Sequence, residues 1–489
     1  MARRGATHDR HGENTENSTP PPESEEDRRF RVAHDAKENQ ESAIPSNEKV
    51  RLVSFTCVEM YTPSTVDGLL ESVKRLGWVH DDPHNPPFVN LLDWIRATRS
   101  NPYGGAWANL SYIIDVEHGP MPGRPLRASL PPEVQELWAR LISVTPSLTC
   151  LVVQFVLTEE ESLSLDRVIR PSRETVARRM EHGWAYLGPT QQKADLVVAE
   201  RDRIRRLCES WIARHVPGTF AAGLSIHGMP TVETFVCDIA KPFEDERTPG
   251  HIDYRWVLNI DNKTHAYESV SLPGWRLAAW DSRMRSDPFV LRLGARWGDV
   301  VEGLEPYGGT DTGALANRLT EPLFPFATRF AIHCLLGGYE QHLAVIRDRV
   351  ASSSVRKGSV KEGHVREVHD LITETGYDAR VVAWEIADLC RDEQRYAYVA
   401  DFTPVAEWRR EHGKGSLIEN LRTSDLTRST GVMATEATVH NMAATAAQLL
   451  ASRINLRLGR RVVILTWVLL GIAALTLLTT VLAIVQQSG

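Results

Sequence analysis

The stretch Gly459–Gly489, GRRVVILTWVLLGIAALTLLTTVLAIVQQSG, indicates where the protein is located. Within it, Val462–Val485 is a run of 24 residues without a charged side chain. As a helix this run spans about 36 Å, slightly more than the roughly 30 Å hydrocarbon core of a bilayer. Its interruptions are Gly471 and the threonines Thr466, Thr476, Thr479 and Thr480. Threonine hydroxyls can bond to carbonyls of their own helix, so they do not prevent insertion.

A helix in the core of a soluble domain is the alternative for this run. Two features weigh against it: the run is hydrophobic on all sides instead of along one stripe, and it is longer than most core helices. The sequence therefore predicts a single transmembrane helix over 462–485.

Basic residues give the predicted helix an orientation. The side of a span that is rich in Lys and Arg stays cytoplasmic, and the short tail 486–489 carries no side-chain charge. Trp467 lies about one turn inside the basic boundary, where an indole can reach the interface. We therefore predict a tail-anchored protein of the cell membrane, with the bulk of the chain cytoplasmic and 486–489 on the other side. The membrane-flanking basic residues are Arg453, Arg457, Arg460 and Arg461.

Composition limits the classes of protein to which the remaining chain can belong. The net charge of −7 disfavours a general nucleic-acid binder, because affinity for phosphate backbones needs a clustered positive surface. Only nine of the 56 Lys and Arg residues are Lys, a bias that hints at a GC-rich bacterial genome. The six cysteines include no CxxC pair, so we expect buried free thiols in a reducing compartment.

The chain length exceeds the size at which one core keeps growing, so we divide it into regions. The predicted regions are a disordered tail 1–48, a first α/β unit 49–180, a second α/β region with a helical end 181–425, a helical stalk 431–461, the span 462–485 and the tail 486–489. Residues 1–48 contain few apolar side chains and cannot offset their ordering entropy by burial.

Apolar periodicity predicts the elements of the α/β body. VRLVSFTCVEMY (50–61), WANLSYIIDV (107–116) and LTCLVVQFVLT (148–158) are predicted strands, and 64–77 and 131–144 are predicted helices. Further on, TVETFVCDIA, YRWVLNID, PFVLRLGARW and RFAIHCLLGG are predicted strands, whereas 172–214 and 338–425 are predicted helical. This alternation predicts a mixed sheet with flanking helices, an α/β or α+β body.

The stalk 431–461 has no proline and fits a 3.5-residue repeat. The two core positions of that repeat are occupied by Val432, Thr435, Val439, Met442, Ala446, Leu449, Arg453 and Leu456. A self-associating coiled coil is one explanation. An amphipathic helix packed on its own body is the other, and the sequence does not choose between them.

Several clusters contain residue types that occur in catalytic or metal sites. His364 and His369 are five residues apart, so on a helix they diverge and do not make a shared metal site. The loop 80–86, HDDPHNP, is more typical of a solvated turn, and His251 with Asp253 lacks a nucleophile or a third member. We therefore predict no metal site and assign no catalytic residue or cofactor.

Two other stretches have an ordinary structural interpretation. EPYGGTDTGALANR, with glycines 308, 309 and 313, lacks the Lys-Ser/Thr ending of a phosphate loop and is interpreted as a turn. The helix with Arg201, Arg203, Arg205 and Arg206 could meet anionic lipid, but the acidic residues among them favour a solvated helix face.

The segment ASRINLRLGRRVVILTWVLLGIAALTLL resembles the approach of the stalk helix to the membrane in CorA-type magnesium transporters. This resemblance implies an oligomeric, stalk-like protein with a cytosolic α/β body. The Gly-Met-Asn signature of the family and a second span are absent, because the sequence continues as LAIVQQSG. No functional residue is carried over.

The sequence thus supports a binding, sensing or scaffold protein at the inner face of the membrane, whose partners are the lipid bilayer and, through 431–461, other copies of the chain. The alternatives are a tethered enzyme with a dispersed active site and a CorA-like ion-transport component.

Overall fold

A computed structural model gives the fold. It describes residues 23–78, 90–101, 104–119, 125–180, 183–225, 227–244, 253–269, 271–279, 289–309, 311–355, 376–411 and 415–487.

The described strands form one large mixed sheet and one small hairpin. The strands are β1 Val50–Tyr61, β2 Ala106–Asp115, β3 Leu126–Ala128, β4 Val134–Thr145, β5 Leu148–Leu157, β6 Val176–Met180, β7 Gly183–Leu187, β8 Thr231–Cys237, β9 Ala266–Glu268, β10 Trp275–Ala279, β11 Val290–Arg296 and β12 Thr403–Pro404. The order in the large sheet is β12-β9-β10-β11-β8-β1-β5-β4-β2-β3, and β6 pairs with β7. Neighbours are antiparallel except β8 with β11 and β2 with β3.

The described helices are α1 Glu25–Glu41, α2 Val66–Arg75, α3 Leu91–Arg99, α4 Glu159–Ser162, α5 Ser164–Ile169, α6 Pro189–His215, α7 Tyr254–Val257, α8 Trp297–Val300, α9 Thr312–Val355, α10 Tyr377–Arg391, α11 Glu393–Ala397, α12 Glu407–Glu411 and α13 Leu417–Gln487. Together with the sheet they confirm the predicted α/β body that continues into a long C-terminal helix.

The centre of the sheet is β1 flanked by β5 and β8. β5 is buried along its whole length, as its mainly apolar sequence, interrupted only by Thr149 and Gln154, predicts for a strand covered on both faces. Phe155 packs edge-on against Trp211 of α6, whereas Cys150 Sγ lies 3.7 Å from Thr328 Oγ1 of α9. Because strand residues an odd number apart point to opposite faces, α6 and α9 cover opposite sides of the sheet. Strands from both predicted α/β regions share this sheet.

The prediction of a helix over 131–144 is wrong, because Val134–Thr145 forms strand β4. β4 pairs with β5 on one side and with β2 on the other. Leu137 and Leu141 are fully buried. A strand covered on both faces does not alternate apolar and polar residues, and its apolar positions here coincide with the spacing of a helical face.

Two predicted strands are helical. RFAIHCLLGG lies inside α9, where the helix is enclosed between the sheet and α13, and an apolar run of this kind does not distinguish a buried helix from a buried strand. YRWVLNID begins as the short helix α7, which Asp253 caps by accepting from the backbone N–H groups of Arg255 and Trp256. The predicted helical region 172–214 begins with the hairpin β6–β7 before α6 starts.

The prediction of a disordered tail is wrong for residues 25–41, which form α1. Polar contacts hold α1: the Asn39 side chain exchanges two hydrogen bonds with the backbone of Arg173, and Asp35 accepts from the backbone and hydroxyl of Thr175. The small number of apolar side chains in this segment predicts disorder, but hydrogen bonds, which composition does not reveal, hold the helix to the body. Residues 1–22 lie outside the described part of the chain.

Glu59 of β1 is a fully buried carboxylate. It accepts from the backbone N–H groups of Met60, Phe220 and Ala221 at 2.8–2.9 Å. Burial raises the pKa of Glu59 from its ordinary 4.5 to about 7, and the backbone donors oppose that rise. This carboxylate therefore fixes the loop 217–221 against β1.

Glu59 gives a pH-dependent stability prediction. A carboxyl whose pKa is raised on folding adds stability below its ordinary pKa, and that stability is lost as the pH rises through the folded value. The free energy of unfolding is expected to fall by roughly 3 kcal/mol between about pH 4.5 and about pH 7.5 through this group alone. In Glu59→Gln this part of the slope should vanish. Urea unfolding at several pH values measures it, and an unchanged slope in Glu59→Gln would contradict the prediction.

Candidate membrane anchor

Helix α13 connects the body to the apolar run without a break. It extends from Leu417 to Gln487, 71 residues, or about 105 Å. Ser416 caps its start, because the Ser416 hydroxyl accepts from the backbone N–H of Glu419 at 3.1 Å. The glycines within it, at 431, 459 and 471, do not interrupt the helix.

The first part of α13, from Leu417 to Ala443, packs against α9 and α10. Its buried apolar residues are Leu417, Ile418, Leu421, Val432 and Val439, and Met442 and Ala443 are partly buried behind them. Of the two explanations for the stalk repeat, packing on its own body therefore accounts for Val432 and Val439.

A buried polar network fixes α13 to the body. The Asp425 side chain has no exposed surface. Its Oδ1 lies 2.7 Å from His333 Nδ1 of α9, and its Oδ2 accepts from the Tyr396 hydroxyl at 2.7 Å. Burial and then the Asp425 charge raise the pKa of Tyr396 well above its usual range, so the phenol stays a donor. The Arg329 guanidinium stacks 5.0 Å from the Tyr396 ring.

The second part of α13 contains the candidate span, Ile454–Val481, with a mean hydropathy of 2.5 over its most apolar window. None of that window is buried against the rest of the described chain, in contrast to a core helix. Leu465, Leu470 and Leu475 each expose more than half of their surface. The described residues therefore contain one helix that is long and apolar enough to cross a membrane, and its apolar window is not packed on the body.

The hydroxyl groups within this run are satisfied inside the helix. Thr466 donates to the carbonyl of Val462 at 2.8 Å, and Thr476 donates to that of Ile472 at 2.6 Å. Thr479 and Thr480 both donate to the carbonyl of Thr476. The run consequently presents no unpaired hydroxyl donor to a hydrocarbon environment.

The predicted flanking residues lie at the start of the span. Arg457, Arg460 and Arg461 are exposed, and the backbone of Arg453 is helical. Trp467 exposes 71% of its surface. About 16 Å of helix separates Ala443, the last of the described side chains that packs on the body, from Ile454. The basic residues thus lie between the body and the middle of the apolar run.

Of the other stretches singled out in the sequence, the described residues form no site. His251, His364, His369 and residues 80–86 lie outside the part of the chain that the structure describes. Asp253 caps α7. In the glycine-rich turn, Gly308 has φ +107° and Asp311 caps α9 by accepting from the backbone N–H of Ala314.

Three arginines of α6, Arg201, Arg203 and Arg205, form ion pairs. Arg201 is buried and its Nε lies 2.9 Å from Glu233 Oε1, and Arg203 pairs with Glu161. The prediction of a solvated helix face is therefore wrong for Arg201. Both Arg201 and Arg203 have carboxylate partners within the body.

The chemistry of the cysteines is that of buried thiols. All six are free and buried, as predicted. Burial raises the pKa of Cys150 to about 12, which keeps that thiol protonated at neutral pH. Within the described residues, no three His, Cys, Asp or Glu side chains are arranged to hold a metal ion.

Comparison with known proteins gives no relative. No family model matches the chain, and neither the curated proteins nor the solved structures contain a significant match. The resemblance to CorA-type transporters therefore stays a prediction.

Proposed function

We propose that the protein is a single-span membrane protein whose α/β body lies on the cytosolic side and acts there by binding, as a sensor or scaffold. The observation that carries the proposal is α13, one unbroken helix that is packed in the body up to Ala443 and bare and apolar from Ile454. Soluble monomers rarely expose an apolar surface of this extent. Lipid tails supply the solvent that such a surface requires.

The basic residues Arg453, Arg457, Arg460 and Arg461 support the orientation, because Lys and Arg beside a span are retained in the cytoplasm. They stand on the side of the span from which the body emerges. In this orientation the body and its six buried thiols face a reducing compartment.

Extraction and labelling test this proposal. The full chain is expected to stay in the membrane pellet in alkaline carbonate and to dissolve in detergent. Because the native cysteines are buried, introduced ones report topology: a membrane-impermeant maleimide should label Ser488→Cys in intact cells and the exposed Ala444→Cys only after lysis. Release by carbonate would refute the anchor, and the reverse labelling pattern would refute the orientation.

We further propose that copies of the chain associate along one face of α13. This face, the small-residue seam, follows a seven-residue repeat and contains no charged side chain. Every one of its residues is exposed. The seam consists of Gly431, Ala434, Thr438, Asn441, Thr445, Gln448, Ser452, Asn455, Gly459, Val462, Thr466, Leu469, Ala473, Thr476 and Thr480.

The distribution of charge supports this choice of face. Ser452 and Gly459 are first positions of the repeat. One place after them come Arg453 and Arg460, two places after comes Arg461, and five places after comes Arg457. In a coiled coil these three positions point away from the helix–helix contact. Val432 and Val439, which pack on the body, also lie off the seam. Small residues let two helix backbones approach closely in lipid, and Asn441, outside the span, and Asn455, at its first turn, can fix the register between parallel copies.

Two glycines of α13 make a matched test of the seam. Both Gly459 and Gly471 border open space, but only Gly459 lies on the seam. Gly459→Leu is expected to abolish the higher-order species seen after crosslinking in membranes, because a leucine holds the helices apart. Gly471→Leu should leave them unchanged. A strictly monomeric native chain, or equal effects of the two variants, would contradict self-association.

An ion-transport component is the second proposal. The threonine hydroxyls at 466, 476 and 480 on the seam favour it, because association would place them together within the span. Reconstituted vesicles should then show Mg²⁺ flux that Gly459→Leu removes, and the absence of flux with the native chain would exclude this activity.

A further inference from the structure

A polar cavity lies at the end of the sheet where the parallel strands β8 and β11 finish. Its volume is about 280 Å³. β8 is antiparallel to β1, and its final residue Cys237 lies beside Val50, the first residue of β1. The cavity is therefore at the Val50 end of β1. At the other end, just after Tyr61, the Thr62 hydroxyl donates to the carboxylate of Asp378 in α10. In open α/β sheets, ligands commonly bind outside the carboxyl ends of strands.

Cations from three separate elements converge on this cavity. Lys241 belongs to the loop after β8, Arg276 to β10, and Arg296 to the end of β11. The carboxylates among the lining residues are Glu268 and Asp299. Asp299 pairs with Arg296, and Glu268 Oε1 accepts from Arg410 at 2.8 Å.

Lys241 and Arg276 share a single carboxylate oxygen. Glu244 Oε1 lies 3.4 Å from Lys241 Nζ and 3.6 Å from an Arg276 guanidinium nitrogen. The Glu244 carboxylate is thus the shared partner of two cations, and both nitrogen–oxygen distances are longer than in a good charge-assisted hydrogen bond. These side chains are partly exposed, so the existing pairs are weak and an anion from solution can compete with them.

The backbone that presents these cations is fixed before any ligand arrives. The loop preceding Lys241 is held by Glu48, whose buried carboxylate accepts from the backbone N–H groups of Asp238, Ile239 and Ala240. Phe243, just after it, is buried and has a φ of +59°, an uncommon conformation for a bulky residue. Strained, well-anchored backbone of this kind is frequent beside binding sites.

From this arrangement we infer that the cavity is a binding site for an oxyanion, the phosphate or carboxylate group of a small soluble molecule. Guanidinium and ammonium groups on three sides supply charge-assisted donors to such a group. The cavity accommodates a small polyanion and is walled by Trp275, which is 3% exposed. The inference does not depend on the proposed membrane anchor or on self-association.

Calorimetric titration of the full chain in detergent tests the site, with inorganic phosphate and citrate as probes and potassium chloride at the same ionic strength as the reference. We expect saturable binding of at least one oxyanion and none of chloride. Lys241→Gln and Arg276→Gln should each weaken binding about tenfold, the loss of one charge-assisted contact. Arg206→Gln, on the exposed surface of α6, is the matched control and should bind normally.

Glu244→Gln distinguishes a binding site from a structural ion-pair cluster. Removing the carboxylate that competes for both cations is expected to tighten oxyanion binding, whereas a cluster with only a structural role gives no binding in any variant. Circular dichroism of each variant confirms folding. The inference is overturned if neither oxyanion binds, if Lys241→Gln and Arg276→Gln bind as the native chain does, or if Glu244→Gln weakens binding.

Discussion

Replacing Asp425 by alanine is expected to lower the free energy of unfolding of the body by about 3–5 kcal/mol. The carboxylate is fully buried and is the common partner of His333 and Tyr396, so the change leaves two buried polar groups without it. Asp425→Asn keeps one acceptor and should cost about 1–3 kcal/mol. Urea unfolding of the full chain in detergent, followed by tryptophan fluorescence, measures both.

Glu419→Ala is the matched control on the same helix. Glu419 is partly exposed and pairs with Arg422 at 2.7 Å, and a solvent-accessible pair of this kind contributes at most about 1 kcal/mol. If Asp425→Ala destabilises the chain no more than Glu419→Ala, the network does not hold α13 to the body.

The second large effect concerns the span. Introducing arginines at Leu470 and Ala474 is expected to make membrane insertion less favourable by about 5–7 kcal/mol, the sum for two charges near the centre of a helix. The double variant should therefore appear in the alkaline carbonate supernatant. No acid on the helix from Ile454 to Val481 is available to pair with either charge.

The same two charges serve as a control when placed outside the span. Ala444 and Ala451 lie in the stretch between the packed part of α13 and Ile454 and off the small-residue seam. Arginines at these positions should leave the chain in the membrane pellet. Equal extraction of the two double variants would mean that the apolar run is not surrounded by lipid.

Elements with an unambiguous pattern were predictable from the sequence. VRLVSFTCVEMY forms β1 over the predicted residues, and the predicted helix 64–77 contains α2 and ends before Gly77, whose φ is +67°. The apolar run was predictable because its length and its lack of charged residues can be read directly from the sequence. The errors at β4 and within α9 share one cause: elements buried on several sides lose the periodicity that separates strand from helix.

The polar groups that fix the fold were not predictable. His333, Tyr396 and Asp425 are far apart in the sequence and meet only when α9, α11 and α13 pack together. Glu59 lies within an apolar strand, where a lone carboxylate is unexpected, and its partners are backbone N–H groups that leave no trace in the sequence. The same holds for the cavity cations, which come from three elements.

The continuity of α13 has a mechanical consequence. With no loop between the packed part and the apolar run, any change in the inclination of the run in a bilayer would be transmitted to the body. The middle of the packed part lies roughly 60 Å from the middle of the run, so a rotation of about 20° carries it sideways by roughly 20 Å. A bilayer that thins or thickens around the apolar run would thus change the inclination of α13 and displace the α/β body sideways.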